Sequence, residues 1–171
     1  LYLYTLIFFF CRVLDNSNFR ICDFAFAGNC FKRYNLWMIL TIYTDGASRG
    51  NPGKASYGFV VFNENKKKIH EEGKYLGIKT NNFAEYTAVL KALEYIQNNF
   101  PLVSEVKFFM DSKLVAEQLS GRYKIKSPNL IPLVSQIKIL VQDLMKISYK
   151  HIPREKNFLA DAQANRALDL T

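Results

Sequence analysis

The order of apolar segments after Met38 limits the fold more than any other feature of this 171-residue chain. Three strand-like runs come first, at 39–44, 57–62 and 69–76. Helical and strand-like patterns then alternate: a helix at 84–98, a strand at 106–110, a short helix ending at 121, a helix at 130–145, a strand at 147–152 and a helix at 157–168. This order, β-β-β-α-β-α-α-β-α, predicts an α/β domain in which helices flank a five-stranded mixed sheet.

Composition changes at Met38. All three cysteines precede this residue, so we expect neither a cysteine nucleophile nor a cysteine-based zinc cluster in residues 38–171. The formal net charge of +8 predicts an anionic partner, which charge alone does not identify as nucleic acid or an acidic membrane surface. We predict one domain over residues 38–171. We interpret residues 1–37 as an N-terminal extension that is either non-native or disordered, because Met38 directly precedes the first strand-like run.

The segment Leu1 to Cys11 is an eleven-residue apolar run. A membrane-spanning helix needs about 20 such residues, and the run has neither a basic segment before it nor a signal-peptide cleavage pattern after it. A protein tethered to a membrane through this run is therefore a weak alternative. We expect no membrane partner, a cytoplasmic location and a monomer.

Acidic residues follow two of the predicted strands. Asp45 and Asp111 each end an apolar run, and the carboxyl ends of adjacent central strands lie at the edge where open α/β sheets bind ligands. Glu85 at the start of a helix and Asp161 in the last helix can reach the same edge. Four clustered carboxylates repel one another unless a cation binds, and Mg²⁺ is the hard ion that prefers oxygen ligands. Two such ions would suit phosphodiester hydrolysis.

Each acid also has a structural explanation. Asp45-Gly46 is common in turns, and Asp111 is a plausible helix N-cap. Glu85 complements a helix dipole, and Asp161 can be a solvated surface charge. Periodicity alone therefore leaves an α/β domain with a suspected metal site.

Four sequence motifs contain these acids: TDGASRGNPG (44–53), TNNFAEY (80–86), MDSKLV (110–115) and HIPREKNFLADAQAN (151–165). In order and spacing they resemble ribonuclease H of type 1, and the resemblance covers residues 38–168. It implies a metal-dependent endonuclease that cleaves the RNA strand of RNA–DNA hybrids and leaves 5′-phosphate and 3′-hydroxyl ends. The implied metal ligands are Asp45, Glu85, Asp111 and Asp161. The implied cofactor is a pair of Mg²⁺ ions, for which Mn²⁺ can substitute.

The resemblance also implies residues that assist catalysis and contact the hybrid. His151 matches a loop histidine that aids proton transfer or product departure, and histidine is the side chain that commonly exchanges protons near neutral pH. Recognition of the 2′-hydroxyl and of DNA phosphates is expected from Gly46, Asn51, Thr80, Asn81 and Asn82. Turn and capping chemistry is the structural alternative for Asn81 and Asn82.

The segment GRYKIKSP (121–128) stands where some relatives carry a long basic helical handle. Phosphate contacts are then expected from four of its residues: Arg122, Tyr123, Lys124 and Lys126. A solvated basic loop is the alternative.

For the whole protein, the alternative function is a catalytically silent hybrid-binding module, which the loss of one acid would have indicated.

Overall fold

The computed structural model describes residues 38–171 and, before them, the backbone of four two-residue strands. These pair antiparallel, Ile21–Cys22 with Tyr34–Asn35 and Ala25–Phe26 with Asn29–Cys30. The rest of the predicted extension, including its apolar run, lies outside the described residues. No helix within the described part of the chain is long and apolar enough to span a bilayer.

Five strands form one mixed sheet: β1 (Ile39–Gly50), β2 (Gly53–Phe62), β3 (Lys68–Lys79), β4 (Glu105–Met110) and β5 (Ile147–His151). Their order across the sheet is β3-β2-β1-β4-β5, with β1 parallel to β4 and β4 parallel to β5. The strands β1, β2 and β3 form an antiparallel meander. The predicted fold class and element order are confirmed.

Four helices connect and cover the strands: α1 (Asn81–Asn99), α2 (Lys113–Leu119), α3 (Ile131–Gln142) and α4 (Phe158–Asp169). Short 3₁₀ turns at Pro128–Leu130 and Arg154–Lys156 precede α3 and α4. The main apolar core lies between α1, α3 and one face of the sheet. Along β2, Tyr57, Phe59 and Val61 point into this core, whereas Gly58 faces α4 on the opposite side.

The first strand is longer than its apolar run predicts. We expected it to stop at Asp45-Gly46, but β1 continues to Gly50 and pairs with β2 as far as Gly53. Its parallel pairing with β4 does end at Thr44, opposite Met110. Asp45 therefore keeps a strand partner on one side only, which leaves the other side open at the edge where β4 ends.

Candidate metal centre and nucleic-acid interface

Three carboxylates meet at the carboxyl end of the two central strands. Because Thr44 lies level with Met110, the next residues, Asp45 and Asp111, leave the parallel ladder together. Glu85 reaches them from the second turn of α1. One carboxylate oxygen from each of the three lies within 4.8 Å of the others, a spacing that one cation can bridge.

Glu85 reaches the strand because Gly46 lets α1 approach it. A Cβ added at Gly46 would lie 2.7 Å from the Cα of Glu85, closer than non-bonded atoms come. The backbone of Gly46 also favours the charged carboxylate of Glu85, since it opposes the rise in the pKa of that group. The structure thus shows a packing role for Gly46, while its predicted contact with the hybrid stays a prediction.

The electrostatics of this triad favour a bound cation. Burial raises the pKa of Asp45 to about 8, helped by the charge of Asp111, a hydrogen bond to it and the charge of Asp161. Burial, followed by the charges of Asp45 and Asp111, also raises the pKa of Glu85 well above its usual value. Both side chains are about 95% buried, so water does little to relieve the repulsion. A divalent ion bound between the carboxylates would relieve this repulsion.

Asp161, the fourth predicted ligand, lies beside the triad without joining it. Its charge acts on Asp45, but its oxygens are outside the group that lies within 4.8 Å. One carboxylate oxygen forms an ion pair with Arg154, and the other accepts a hydrogen bond from the Asn165 side chain at 3.0 Å. Of the four acids expected to converge, the structure brings three together.

Close packing of α4 against the sheet sets the position of Asp161. A Cβ added at Gly58 would lie 2.6 Å from the carbonyl oxygen of Ala160, so only glycine fits there. The Ser56 hydroxyl donates to the carbonyl of Ala164 at 2.5 Å, one turn further along α4. These contacts hold the first turn of α4 close to the triad.

Two further residues at the site were missed in the sequence. Asn157 is completely buried, and its side-chain amide donates to the carbonyl of Thr44 at 3.0 Å and to the carboxylate of Asp111 at 3.2 Å. Arg154 forms an ion pair with Asp161, and its charge lowers the pKa of both Asp45 and Glu85. Both lie in the motif that contains His151 and Asp161, but an amide or arginine in a loop gives no separate signal.

His151 ends β5 and lies level with Met110 across the parallel ladder. It is exposed at the same sheet edge as Asp111. The structure therefore places it next to the candidate metal centre, with its side chain open to solvent.

The predicted hybrid-contacting residues near α1 form one connected group. The side-chain oxygen of Asn51 accepts a hydrogen bond from the backbone N–H of Asn81 at 3.1 Å. Thr80 is the N-cap of α1, where its hydroxyl accepts from the N–H of Phe83 at 3.3 Å. Asn82 is exposed in the first turn. Turn and capping chemistry thus accounts for Thr80 and for the backbone of Asn81, leaving the side-chain amides of Asn81 and Asn82 to be explained.

The basic loop after α2 is anchored to the domain. Gln118 accepts a hydrogen bond from the Tyr86 hydroxyl at 2.7 Å and donates one to the carbonyl of Lys124 at 3.0 Å. Arg122 forms an ion pair with Glu117, which partly compensates its charge. Tyr123, Lys124 and Lys126 are exposed, and neither lysine has an ion-pair partner within residues 38–171.

Comparison with known proteins agrees with this geometry. The model of the reverse transcriptase-like family matches residues 43–167. The bifunctional protein Rv2228c of Mycobacterium tuberculosis is 41% identical over 133 residues, which are 77% of this chain and 36% of that protein. The chain therefore spans about a third of the length of that relative. Ribonuclease HI of Halobacterium salinarum is 39% identical over 74% of this chain and 63% of its own length.

Solved structures extend the comparison. The crystal structure of ribonuclease H1 from Halobacterium salinarum superimposes with a TM-score of 0.73 at 37% identity, covering 78% of this chain and 99% of that one. LC11-RNase H1, solved in complex with an RNA/DNA hybrid, gives a TM-score of 0.73 at 40% identity, covering 77% and 97%. In the present chain, the order of the strands and the carboxylates at the ends of the two central strands define a ribonuclease H-like domain. With these matches, the chain belongs to the ribonuclease H type 1 family.

Proposed function

We propose that this domain is a metal-dependent endonuclease that hydrolyses the RNA strand of RNA–DNA hybrids, leaving 5′-phosphate and 3′-hydroxyl ends. The observation that carries the proposal is the carboxylate triad, whose oxygens lie within 4.8 Å of one another while two of its members are buried. The relative solved with an RNA/DNA hybrid supports the substrate class.

The donor set fits hard divalent cations. Its ligands are all carboxylate oxygens, which suit Mg²⁺ with Mn²⁺ as a substitute, and contain none of the sulfur or imidazole donors typical of zinc sites. Asp45, Glu85 and Asp111 would hold one ion, and Asp161 would contribute to a second. When bound, a pair of such ions polarises the scissile phosphate, activates water and stabilises the leaving 3′ oxygen.

The chain's own residues position these groups. Asn157 would orient Asp111 through its side-chain amide, and Gly46 would let α1 approach β1 closely enough to bring Glu85 to the site. The exposed imidazole of His151 would assist proton transfer or product departure. Asn51, Asn81 and Asn82 would contact the minor groove, where the 2′-hydroxyl distinguishes RNA from DNA.

Sequence-independent attraction to phosphates would come from the basic loop after α2. Lys124 and Lys126 provide exposed charge, Tyr123 an aromatic face, and Arg122 a guanidinium shared with Glu117. A cytoplasmic location and a monomeric state remain predictions from the sequence. A silent hybrid-binding module is not favoured, since all four acids are present.

The test compares the full-length protein with its Asp45→Asn variant on labelled RNA–DNA hybrid, duplex DNA and duplex RNA, with Mg²⁺ or with EDTA. We expect cleavage of the hybrid alone, abolished by EDTA. Removing one ligand of a catalytic ion costs several kcal/mol of transition-state stabilisation, so Asp45→Asn should be slower by about a hundredfold or more. Asp143→Asn, an exposed acid at the end of α3, is the matched control and should retain activity.

Two outcomes would contradict the proposal. Unchanged turnover in Asp45→Asn would remove the metal assignment. A wild-type protein that binds the hybrid tightly without cutting it would favour the silent module.

A further inference from the structure

Arg154 lies beside the candidate metal centre, where its side chain contacts Asp161. It lies in the 3₁₀ turn Arg154–Lys156, which follows β5 and leads into α4. The carbonyl of Arg154 accepts a hydrogen bond from the backbone N–H of Asn157 at 2.8 Å, and the Asn157 side chain is in turn bound to Thr44 and Asp111. The turn is therefore held in a defined position relative to the triad.

The side chain of Arg154 bonds to the one acid that does not join the triad. Its guanidinium pairs with one oxygen of Asp161, and Asn165 occupies the other oxygen, so both face a hydrogen-bond donor. The positive charge of Arg154 also acts on Asp45 and Glu85, and its own pKa is raised by Asp161, Asp45 and Asp111. The guanidinium thus compensates the acidic cluster from the Asp161 side.

We propose that Arg154 is an internal counter-cation, whose ion pair with Asp161 must open before Asp161 can ligate a divalent ion. Arg154 is in this sense a positioning residue that weakens the affinity of the ion bound through Asp161. The inference rests on the proposed metal site, and it identifies Arg154 as the residue that competes with a divalent ion for Asp161.

The magnitude follows from the exposure of the pair. The Arg154 side chain is 72% exposed and that of Asp161 26%, and such ion pairs contribute at most about 1 kcal/mol. The need to open this ion pair therefore lowers the affinity of the divalent ion by up to about fivefold. A pair this weak opens readily, which suits a ligand that must exchange between an arginine and a metal ion.

The test is calorimetric titration of Mn²⁺ into the metal-free full-length protein at one pH, without nucleic acid. Arg154→Met removes the charge and the donors, and we expect Mn²⁺ to bind about fivefold more tightly. Lys156→Met is the matched control, because it removes the same charge from the same turn at a side chain without an ion-pair partner in residues 38–171. It should change the affinity less than twofold.

A double variant separates competition for Asp161 from a general charge effect. In an Asp161→Asn background, Arg154→Met should tighten Mn²⁺ binding by much less than fivefold, because only the effect of its charge on Asp45 and Glu85 is then removed. Arg154→Gln, which removes the charge but keeps a polar end, provides a second variant should Arg154→Met fold poorly, and it should shift the affinity in the same direction.

The outcomes distinguish this inference from the proposed function. If the wild-type protein binds no Mn²⁺, the metal-dependent function fails and the inference with it. If the wild type binds Mn²⁺ but Arg154→Met and Lys156→Met behave alike, only the inference is overturned. Weaker binding of the hybrid by Arg154→Met with unchanged Mn²⁺ affinity would also overturn it, because Arg154 would then act on substrate phosphates.

Discussion

At the scale of single residues, burial and neighbouring acids act together on Asp45 and Glu85. The pKa of Asp45 is about 8 and that of Glu85 is also raised, so both lie above the values near 4 of an unfolded chain. Between pH 4 and 8 Asp45 binds more protons in the folded state than in the unfolded state, and the raised pKa of Glu85 acts in the same direction. The contribution of Asp45 to the free energy of unfolding therefore decreases as pH rises through this range.

Asp45→Asn should remove much of this pH-dependent decrease in the free energy of unfolding. In EDTA at pH 8.5, we expect the variant to be more stable than the wild type by roughly 1–3 kcal/mol, because the amide carries no charge to repel Asp111. At pH 5 the two proteins should melt at similar temperatures. Thermal melts across pH 5–8.5 measure the difference, and Asp143→Asn should follow the wild type. A difference in stability between the variant and the wild type that does not grow with pH would contradict the raised pKa of Asp45.

Asn157 connects the backbone of β1 to a candidate metal ligand. Asn157→Ala would leave the carbonyl of Thr44 without its side-chain donor in a buried position, which costs about 1–3 kcal/mol. It would also free Asp111 to rotate, so Mn²⁺ affinity should fall several-fold. Urea unfolding and calorimetry measure the two effects. Asn98→Ala, at an exposed position of α1, should change neither; equal losses in both variants would show that Asn157 has no special role.

At the scale of secondary-structure elements, the approach of α1 to β1 sets the distance between Asp45 and Glu85. Gly46→Ala should force the two elements apart, since the new Cβ would lie 2.7 Å from the Cα of Glu85. We expect a loss of about 2–4 kcal/mol in unfolding free energy together with weaker Mn²⁺ binding. Urea denaturation and metal titration of the same samples would show both.

Gly77→Ala is the control for this prediction. An added Cβ at Gly77 meets nothing within 4 Å, but its φ of +76° is unfavourable for alanine. It should cost about 1–2 kcal/mol in stability and leave the metal affinity unchanged. If Gly46→Ala also left the metal affinity unchanged, the contact between β1 and α1 would not determine the spacing of the acids.

At the scale of the whole molecule, exposed charge is distributed over two ends of the sheet. Lys124 and Lys126 follow α2, which begins beside the carboxyl end of β4, whereas Lys66 and Lys67 lie in the loop between β2 and β3. Because β2 runs antiparallel to β1, that loop is at the opposite end from Asp45. The two lysine pairs carry the same charge at different distances from the candidate metal centre.

Binding to an RNA–DNA hybrid should distinguish the two pairs. In the inactive Asp45→Asn background, affinity should fall as salt rises, because phosphate contacts release bound counterions. Replacing Lys124 and Lys126 by Ala should weaken binding and reduce the slope of log K against log[salt] by up to about 2. Replacing Lys66 and Lys67 should change the slope little. Fluorescence anisotropy at several salt concentrations measures this, and equal slopes would argue against the basic loop as a contact surface.

The sequence predicted the order of elements because hydrophobic periodicity is a local property of the chain. It predicted the five strands and four helices that the structure describes in residues 38–171, where only their ends differ, as where β1 runs on to Gly50, but not the four short strands before Met38. Glycines and polar residues after Thr44 indicate a turn, but pairing with β2 provides the hydrogen bonds that keep those residues extended. That pairing involves residues distant from Thr44 and has no local signal.

In the candidate site, too, some features follow from the local sequence and others depend on contacts between distant residues. The sequence by itself determined which acids follow which elements, since motif and spacing are encoded in the order of residues. Only the tertiary structure decided that Asp45, Glu85 and Asp111 meet while Asp161 pairs with Arg154, and that Asn157 binds two elements at once. The physical reason is that these contacts depend on how closely α1 and α4 pack against the sheet. That packing is set by glycines and small side chains far apart in the chain.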